Sequence, residues 1–182
     1  MIVTKTPLAG AFVIEPELLE DARGFFARTW CERELGARGL VTRIAQCSTS
    51  FNKKRGTLRG MHFQAAPFAE TKIVRCTRGS MYDVIIDLRP AASTFTRHFA
   101  VELTAENRKA LYVPAGFAHG FQTLEDNTEV FYQISEFYSS AHACGVRWDD
   151  PAFGIRWPDD ERTIADRDRS YPDFRATGPT GS

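Results

Sequence analysis

Short apolar runs separated by turn-forming residues recur along most of this chain. The clearest predicted strands cover residues 72–76, 81–88, 99–103, 110–113, 117–124 and 129–134. Turn residues interrupt the runs about every 8–12 positions, which is typical of an all-β sandwich or closed barrel. Residues 81–88 are apolar at nearly every position, so this strand is predicted to be buried on both faces. The last two strands are predicted to lie side by side as a pair.

The pattern is weaker towards both ends of the chain. Residues 11–14 and 44–50 predict strands, and the turn at 21–24 leads into an aromatic strand. Residues 30–35 predict one or two helical turns that end at Gly36. From residue 149 the chain is rich in Pro, Asp and Arg, and we expect short helical turns that wrap the barrel. Residues 176–182 are expected to be a disordered tail.

Composition limits the class of protein. The 182 residues fit one domain, expected to span residues 1–175, and 14 Phe suit a β-fold with aromatic pockets. The formal net charge is zero, which argues against a nucleic acid partner. No signal peptide and no membrane span are expected. The four cysteines form no metal-binding pair and are predicted to be free thiols in a reducing cytoplasm.

Two segments carry the candidate chemistry. Residues 58–64 place Arg59, Gly60 and His62 within four positions of an apolar run, and residues 112–121 contain His119. Arginine offers a fork of donors for anionic oxygens, and histidine exchanges protons near neutral pH. Glycine lets the backbone bend or lets a ligand approach closely. We predict that the two segments meet inside one barrel and face one ligand.

Side-chain alternation adds a lysine and a tyrosine to this set. On a strand, Lys72 shares a face with Val74, and Tyr132 shares a face with Val130. Taken singly, such residues are usually explained by a snorkelling ammonium or a satisfied core hydroxyl. Their functional interpretation depends on the motifs around them.

Several motifs follow one order along the chain. They are Asp21-x-Arg23-Gly24-x-Phe26, Leu58-Arg59-Gly60-Met61-His62-Phe63-Gln64, Lys72-Ile73-Val74, Asp83-Val84-x-x-Asp87-x-Arg89, Pro114-x-Gly116-Phe117-Ala118-His119-Gly120-Phe121, Tyr132 with Tyr138, Trp148-x-Asp150-Pro151 and Ile155-x-Trp157-Pro158. Together they resemble the dTDP-4-dehydrorhamnose 3,5-epimerase family. The resemblance implies a cupin-type double-stranded β-helix, a jelly-roll barrel with short peripheral helices. It also implies a cofactor-free epimerase, without a metal, that acts on a nucleotide-diphospho-sugar as a homodimer.

The resemblance further implies roles for matching positions. His62 would be the base, Asp168 its orienting carboxylate, Lys72 the group that stabilises the enolate oxygen, and Tyr132 the acid on the opposite face. Positions implied to bind substrate are Arg23, Arg59, Gln46, His119 and Tyr138. Arg28 and Ser48 depart from the family pattern, which often has Glu and Asn there, so the sequence leaves the nucleotide and the sugar open.

Three other functions remain alternatives. A metal-dependent cupin enzyme would need a ligand set such as His62, His119 and Glu70, and bound metal would reveal it. A relative of narrower chemistry would epimerise only C3 or only C5, or use a sugar linked to another nucleotide. A non-catalytic binder would keep its role after His62→Ala.

Overall fold

The computed structural model describes residues 1–175, so the tail 176–182 lies outside the described residues. In the described part the chain forms fourteen strands and two short helices. The strands, in chain order, are β1 (Ile2–Lys5), β2 (Phe12–Glu15), β3 (Leu18–Asp21), β4 (Gly24–Ala27), β5 (Gln46–Asn52), β6 (Thr57–Gln64), β7 (Lys72–Arg78), β8 (Ser80–Asp87), β9 (His98–Thr104), β10 (Ala110–Val113), β11 (Phe117–Thr123), β12 (Thr128–Ile134), β13 (Ala143–Gly145) and β14 (Thr163–Ile164). The helices are α1 (Glu32–Gly36) and α2 (Asp166–Arg169).

Two sheets form the body of the protein. The first has the strand order β1-β2-β10-β7-β12-β5, and the second has the order β13-β6-β11-β8-β9, with β14 added beside β6. Strands that follow one another in the chain often belong to opposite sheets, as in a jelly roll. The predicted all-β, cupin-type jelly-roll fold is therefore confirmed.

The main core lies between the sheets, and it explains the strand patterns. Val74 and Val113 of the first sheet pack in one cluster with Met81, Ile85 and Phe121 of the second. The alternate residues of β8 point the other way, into a cluster that the C-terminal segment covers. The prediction that 81–88 is buried on both faces is confirmed, because a covering segment lies outside this sheet.

One predicted pairing is wrong. Residues 117–124 and 129–134 do form strands, but β11 pairs with β6 and β8, while β12 pairs with β5 and β7. The chain between them crosses from one sheet to the other. Local turn signals cannot distinguish a hairpin from such a crossing, because both begin and end with the same turn residues.

The N-terminal region forms a separate small element. β3 and β4 make a two-stranded hairpin that joins neither large sheet. Its aromatic side chains face solvent, with Phe26 70% exposed. Helix α1 lies close to the predicted position, and its Leu35 is fully buried against the outer face of the first sheet.

The C-terminal segment wraps the second sheet and returns to β6. Its Phe153 and Trp157 pack on Leu58 and Met61. β14 then pairs in parallel with β6, and α2 follows, so the predicted short helical turn is confirmed. All four cysteines are free thiols, as predicted. Neither helix of residues 1–175 has the length and apolar character of a membrane span.

A bulge at Gly60 sets which side chains of β6 face the interior. The register between β6 and β11 shifts between the pairs His119–His62 and Phe121–Arg59. Strict alternation would send Arg59 and His62, three positions apart, to opposite faces. The bulge adds one residue to β6 relative to β11, so the side chains of Arg59 and His62 reach the same cavity.

The bulge requires glycine on both strands. A Cβ on Gly60, whose φ is +134°, would lie 2.5 Å from Cα of Gly120. A Cβ on Gly120 would lie 2.7 Å from the carbonyl oxygen of Arg59. Backbone atoms cannot move aside as a flexible side chain can, so β6 and β11 approach this closely only without side chains here.

We expect Gly120→Ala to lower the free energy of unfolding by about 1–3 kcal/mol, because the added methyl overpacks the contact between β6 and β11. Urea unfolding followed by fluorescence measures this change. Gly36→Ala is the control, since its Cβ would meet only ordinary contact, 3.9 Å from a methyl of Thr42. Equal midpoints for Gly120→Ala and the wild type would contradict the prediction.

Candidate active site

His62 of β6 and Asp168 of α2 form an imidazole–carboxylate pair. Nε2 of His62 lies 2.7 Å from Oδ1 of Asp168, although the residues are 106 positions apart. The backbone N–H of Gly60, inside the bulge, donates to the other oxygen at 3.1 Å. Because a carboxylate accepts, Nε2 carries a proton, so in the neutral imidazole the lone pair lies on Nδ1.

Asp168 is itself only 4% exposed. Burial alone would raise the pKa of its carboxyl, but the hydrogen bond from His62 and the N–H of Gly60 outweigh burial and hold that pKa below its usual value. The carboxylate therefore stays ionised to lower pH than an ordinary aspartate, and it keeps the imidazole in one orientation.

Lys72 begins β7 in the opposite sheet and faces the interior. Its side chain is 12% exposed. Nζ contacts Oε1 of Glu70 at 2.9 Å and donates to the backbone carbonyl of His62 at 3.3 Å. The ammonium is thus held against the strand that carries the imidazole.

Tyr132 lies on β12, next to β7, and its ring meets that of His119 edge to face at 6.0 Å. Burial raises the pKa of the Tyr132 phenol well above its usual value, and the negative charge of Asp83 adds to the shift. His119 is held by Asp83, with Nε2 2.7 Å from Oδ1 in a fully buried contact. The phenol is therefore neutral over the whole range near neutral pH.

One cavity of about 290 Å³ brings these groups together. Its wall includes His62 and His119 from the second sheet and Lys72 and Tyr132 from the first. Two further cavities adjoin it at His62, and one of them also contains Lys72. The prediction that residues 58–64 and 112–121 meet in one barrel is confirmed.

The predicted substrate-binding residues are placed in different ways. Arg59 lines the shared cavity, and its Nε donates to Asn52 at 2.8 Å. Gln46 and Tyr138 line a neighbouring cavity, where Oε1 of Gln46 accepts from the N–H of Tyr138 at 2.7 Å. Arg23 lies in the hairpin turn, 90% exposed and paired with Asp21, and it lines none of the three cavities that contain His62.

For three charged residues of the site the sequence predicted no acid–base or substrate-binding role, although Glu70 was considered as a metal ligand. Glu70 pairs with Lys72, Asp83 pairs with His119, and Arg167 lines two of the cavities around His62. The signal for Asp83 was present, because it is an acidic residue inside a strand that is otherwise apolar. Glu70 lies in the short loop between β6 and β7, and Arg167 lies in a run of Asp and Arg, so no strand periodicity distinguishes either from surface residues.

The ligand set considered for a metal cupin has other partners. His62 and His119 each bind an aspartate, and Glu70 binds Lys72. Within residues 1–175, no three His, Cys, Asp or Glu side chains are arranged to hold a metal ion. The charged groups of the cavity are instead arranged as acid–base pairs.

The fold is a jelly-roll sandwich, and one of its cavities brings together an imidazole–aspartate pair, an ammonium and a neutral phenol. These features define a cupin-type enzyme that catalyses proton transfer. Comparison with known proteins specifies the family. The profile described as dTDP-4-dehydrorhamnose 3,5-epimerase matches residues 5–176. The chain belongs to this family of epimerases, as the motifs had indicated.

Individual relatives agree with this assignment. A dTDP-4-dehydrorhamnose 3,5-epimerase of Methanothermobacter thermautotrophicus is 41% identical over 174 residues, which cover 94% of this chain and 93% of the relative. The crystal structure of the Bacillus anthracis enzyme with TDP and PPi bound superposes with a TM-score of 0.92 at 39% identity, over 95% of this chain and 99% of that one. A 3'-monoepimerase from Streptomyces bikiniensis in complex with dTDP-quinovose has a TM-score of 0.86 at 34% identity, over 93% and 86% of the two chains.

Proposed function

We propose that this protein converts dTDP-4-dehydro-6-deoxyglucose to dTDP-4-dehydrorhamnose by inverting C3 and C5 next to the ketone. The proposal is supported above all by the shared cavity, in which His62 faces Lys72 and Tyr132 across the barrel. Inversion needs a base and an acid on opposite sides of the sugar ring. Residues from two facing sheets can supply them.

His62 acts as the base. Its Nδ1 takes the proton from the carbon next to the ketone, and the electron pair of that C–H bond moves to give the enolate. Asp168 holds the ring and offsets the positive charge that forms on the imidazole, as carboxylates do in other imidazole pairs. A positioned base of this kind contributes about 10²–10⁴-fold to the rate.

Lys72 stabilises the negative charge on the enolate oxygen. An ammonium held in place before the reaction is effective because it need not reorganise as the charge develops. The amino-acid side chains supply the cation in this scheme, so it uses no cofactor.

Tyr132 returns a proton on the opposite face of the ring. The enolate carbon takes the phenolic proton and the ketone re-forms. The phenolate then regains a proton from solvent and the imidazolium of His62 releases its proton to solvent, so both groups return to their starting state. Burial raises the pKa of Tyr132, which keeps the phenol protonated until it meets the enolate. The same groups serve both carbons if the ring shifts between the two steps.

The nucleotide end is bound beside this cavity. Arg59 and Arg23 would face the diphosphate, His119 would contact the sugar, and Gln46 and Tyr138 would contact the remainder of the substrate. A relative crystallised with TDP and another with dTDP-quinovose support a thymidine nucleotide as ligand. Phosphate groups prefer the bidentate donors of arginine.

Incubation of the protein with dTDP-4-dehydro-6-deoxyglucose in D₂O tests the proposal. Proton NMR should show deuterium at C3 and at C5. The likeness to a 3'-monoepimerase keeps single-position chemistry as a second candidate, and label at one carbon only would establish it. No label at either carbon, with CDP- and GDP-linked sugars equally inert, would refute both.

We also propose that the active form is a homodimer in which the β3–β4 hairpin packs on a second copy. An isolated two-stranded sheet is marginally stable, and this one exposes Leu19 at 67% and Phe26 at 70%. The exposed Arg23 lies in the same hairpin, so the pairing would carry its guanidinium to the partner. The proposal includes an exchange of N-terminal strands between the two copies, which the family resemblance implies. The free cysteines support a cytoplasmic location.

We expect Phe26→Asp to convert the dimer to a monomer, because the charge would be buried unpaired at the interface. Light scattering at micromolar concentration measures the mass. Phe51→Asp is the control, since Phe51 is 45% exposed on β5, at the opposite edge of the first sheet from β1. A monomeric wild type, or a dimer that survives Phe26→Asp, would contradict the proposal.

A further inference from the structure

Glu70 is a buried carboxylate to which the mechanism above gives no step. Its side chain is 6% exposed, and Oε1 lies 2.9 Å from Nζ of Lys72. The second oxygen, Oε2, is buried without a hydrogen-bond partner in the described residues. Within residues 1–175, Lys72 is the only ion-pair partner of this carboxylate.

The contacts of Lys72 limit what its ammonium can do. An ammonium has three N–H donors. One meets Glu70, and a second meets the backbone carbonyl of His62. The third remains for a ligand, and Glu70, Lys72 and His62 all line one cavity.

We propose that Glu70 is a positioning residue, which fixes the ammonium of Lys72 so that its remaining N–H meets the enolate oxygen. The inference rests on the proposed function and adds a residue to it. Lysine has a long flexible stem and, unlike arginine, no rigid fork of donors. Anchors on two of its three N–H groups restrict the direction of the third.

The carboxylate has two opposite effects on catalysis. Its hydrogen bond holds Nζ in place, while its negative charge weakens the attraction of the ammonium for a second anion. A misplacement of about 1 Å at a reacting centre can cost about 10²-fold in rate. We therefore expect the positioning effect to dominate. Glutamine separates the two effects, because it keeps the acceptor oxygen and removes the charge.

Two variants test the kinetic consequence. Glu70→Ala should lower kcat for deuterium exchange by about 10–100-fold, because Nζ loses an anchor. Its KM should stay close to that of the wild type, because the proposal gives Glu70 a contact with Lys72 and no contact with the substrate. Glu70→Gln should recover most of kcat. A wild-type kcat in Glu70→Ala, or an equal loss in both variants, would overturn the inference.

Thermal unfolding tests the pairing without any substrate. Lys72→Met strands a buried charge on Glu70 and should lower the Tm by about 5–15 °C. Glu70→Gln added to Lys72→Met should restore most of this loss, because the stranded charge is gone. Additive changes in Tm would show that the residues act independently and would overturn the inference.

Glu15→Gln is the matched control, because Glu15 pairs with Lys109 at 3.5 Å on the surface. It should leave both kcat and Tm at the wild-type values. The two proposals fail in different ways. A wild type without exchange refutes the proposed function, whereas an active wild type with a fully active Glu70→Ala variant refutes only the role of Glu70.

Discussion

His62→Ala should reduce the rate of deuterium exchange at the substrate by about 10²–10⁴-fold, which is the contribution of a positioned base. Alanine leaves no group on β6 that can accept the proton. NMR in D₂O gives the exchange rate, and calorimetry with dTDP gives the affinity, which should stay near the wild-type value. Retained binding separates a lost base from a lost pocket.

The alanine variant also leaves the Asp168 carboxylate unpaired, which can weaken the fold. His62→Gln avoids this problem, since its amide nitrogen can take the place of Nε2 and donate to Asp168 but cannot act as a base. Both variants should lose exchange. His98→Ala is the control, because His98 bonds the carbonyl of Phe153 away from the cavity. Normal exchange in folded His62→Gln would refute the role of the imidazole.

Tyr132→Phe should separate proton removal from inversion. Phenylalanine keeps the ring packed against His119 but removes the hydroxyl that returns the proton. We expect formation of the inverted product to fall by about 10²–10⁴-fold. Deuterium should still enter without inversion, because His62 can return a deuteron to the face from which it took the proton.

The pH dependence of inversion follows from the pKa of Tyr132. The pKa of Tyr132 is raised, so its acid form persists to higher pH than that of an ordinary tyrosine. Inversion by the wild type should therefore not decline at mildly alkaline pH through loss of this proton.

Tyr82→Phe is the control for Tyr132→Phe, since Tyr82 packs on Trp157 outside the cavity. An unchanged rate of inversion in Tyr132→Phe would contradict its role as the acid.

Much of the fold could be predicted because it depends on local pattern. Alternation placed Lys72 with Val74 and Tyr132 with Val130, and the structure points all four to the interior. The partners of the strands could not be predicted in the same way. β11 and β12 follow one another in the chain yet belong to different sheets, because packing of distant strands decided their neighbours.

The site was predicted from motif order rather than from pattern, and its geometry came from long-range contacts. The run that contains Asp168 looks like a solvated face by composition, yet its carboxylate is buried against the bulge of β6. Glu70 lies in the loop between β6 and β7, and only the folded structure shows that it pairs with Lys72.

The amino-acid sequence by itself determined the class of fold, the residue types of the chemistry and the family. Tertiary structure alone decided that Arg59 and His62 share a face, that Nδ1 of His62 is free, and that Lys72 has a carboxylate partner. The reason is physical. Periodicity and motifs are local properties of a chain, whereas a bulge, a tautomer and an ion pair depend on which distant backbone packs beside them.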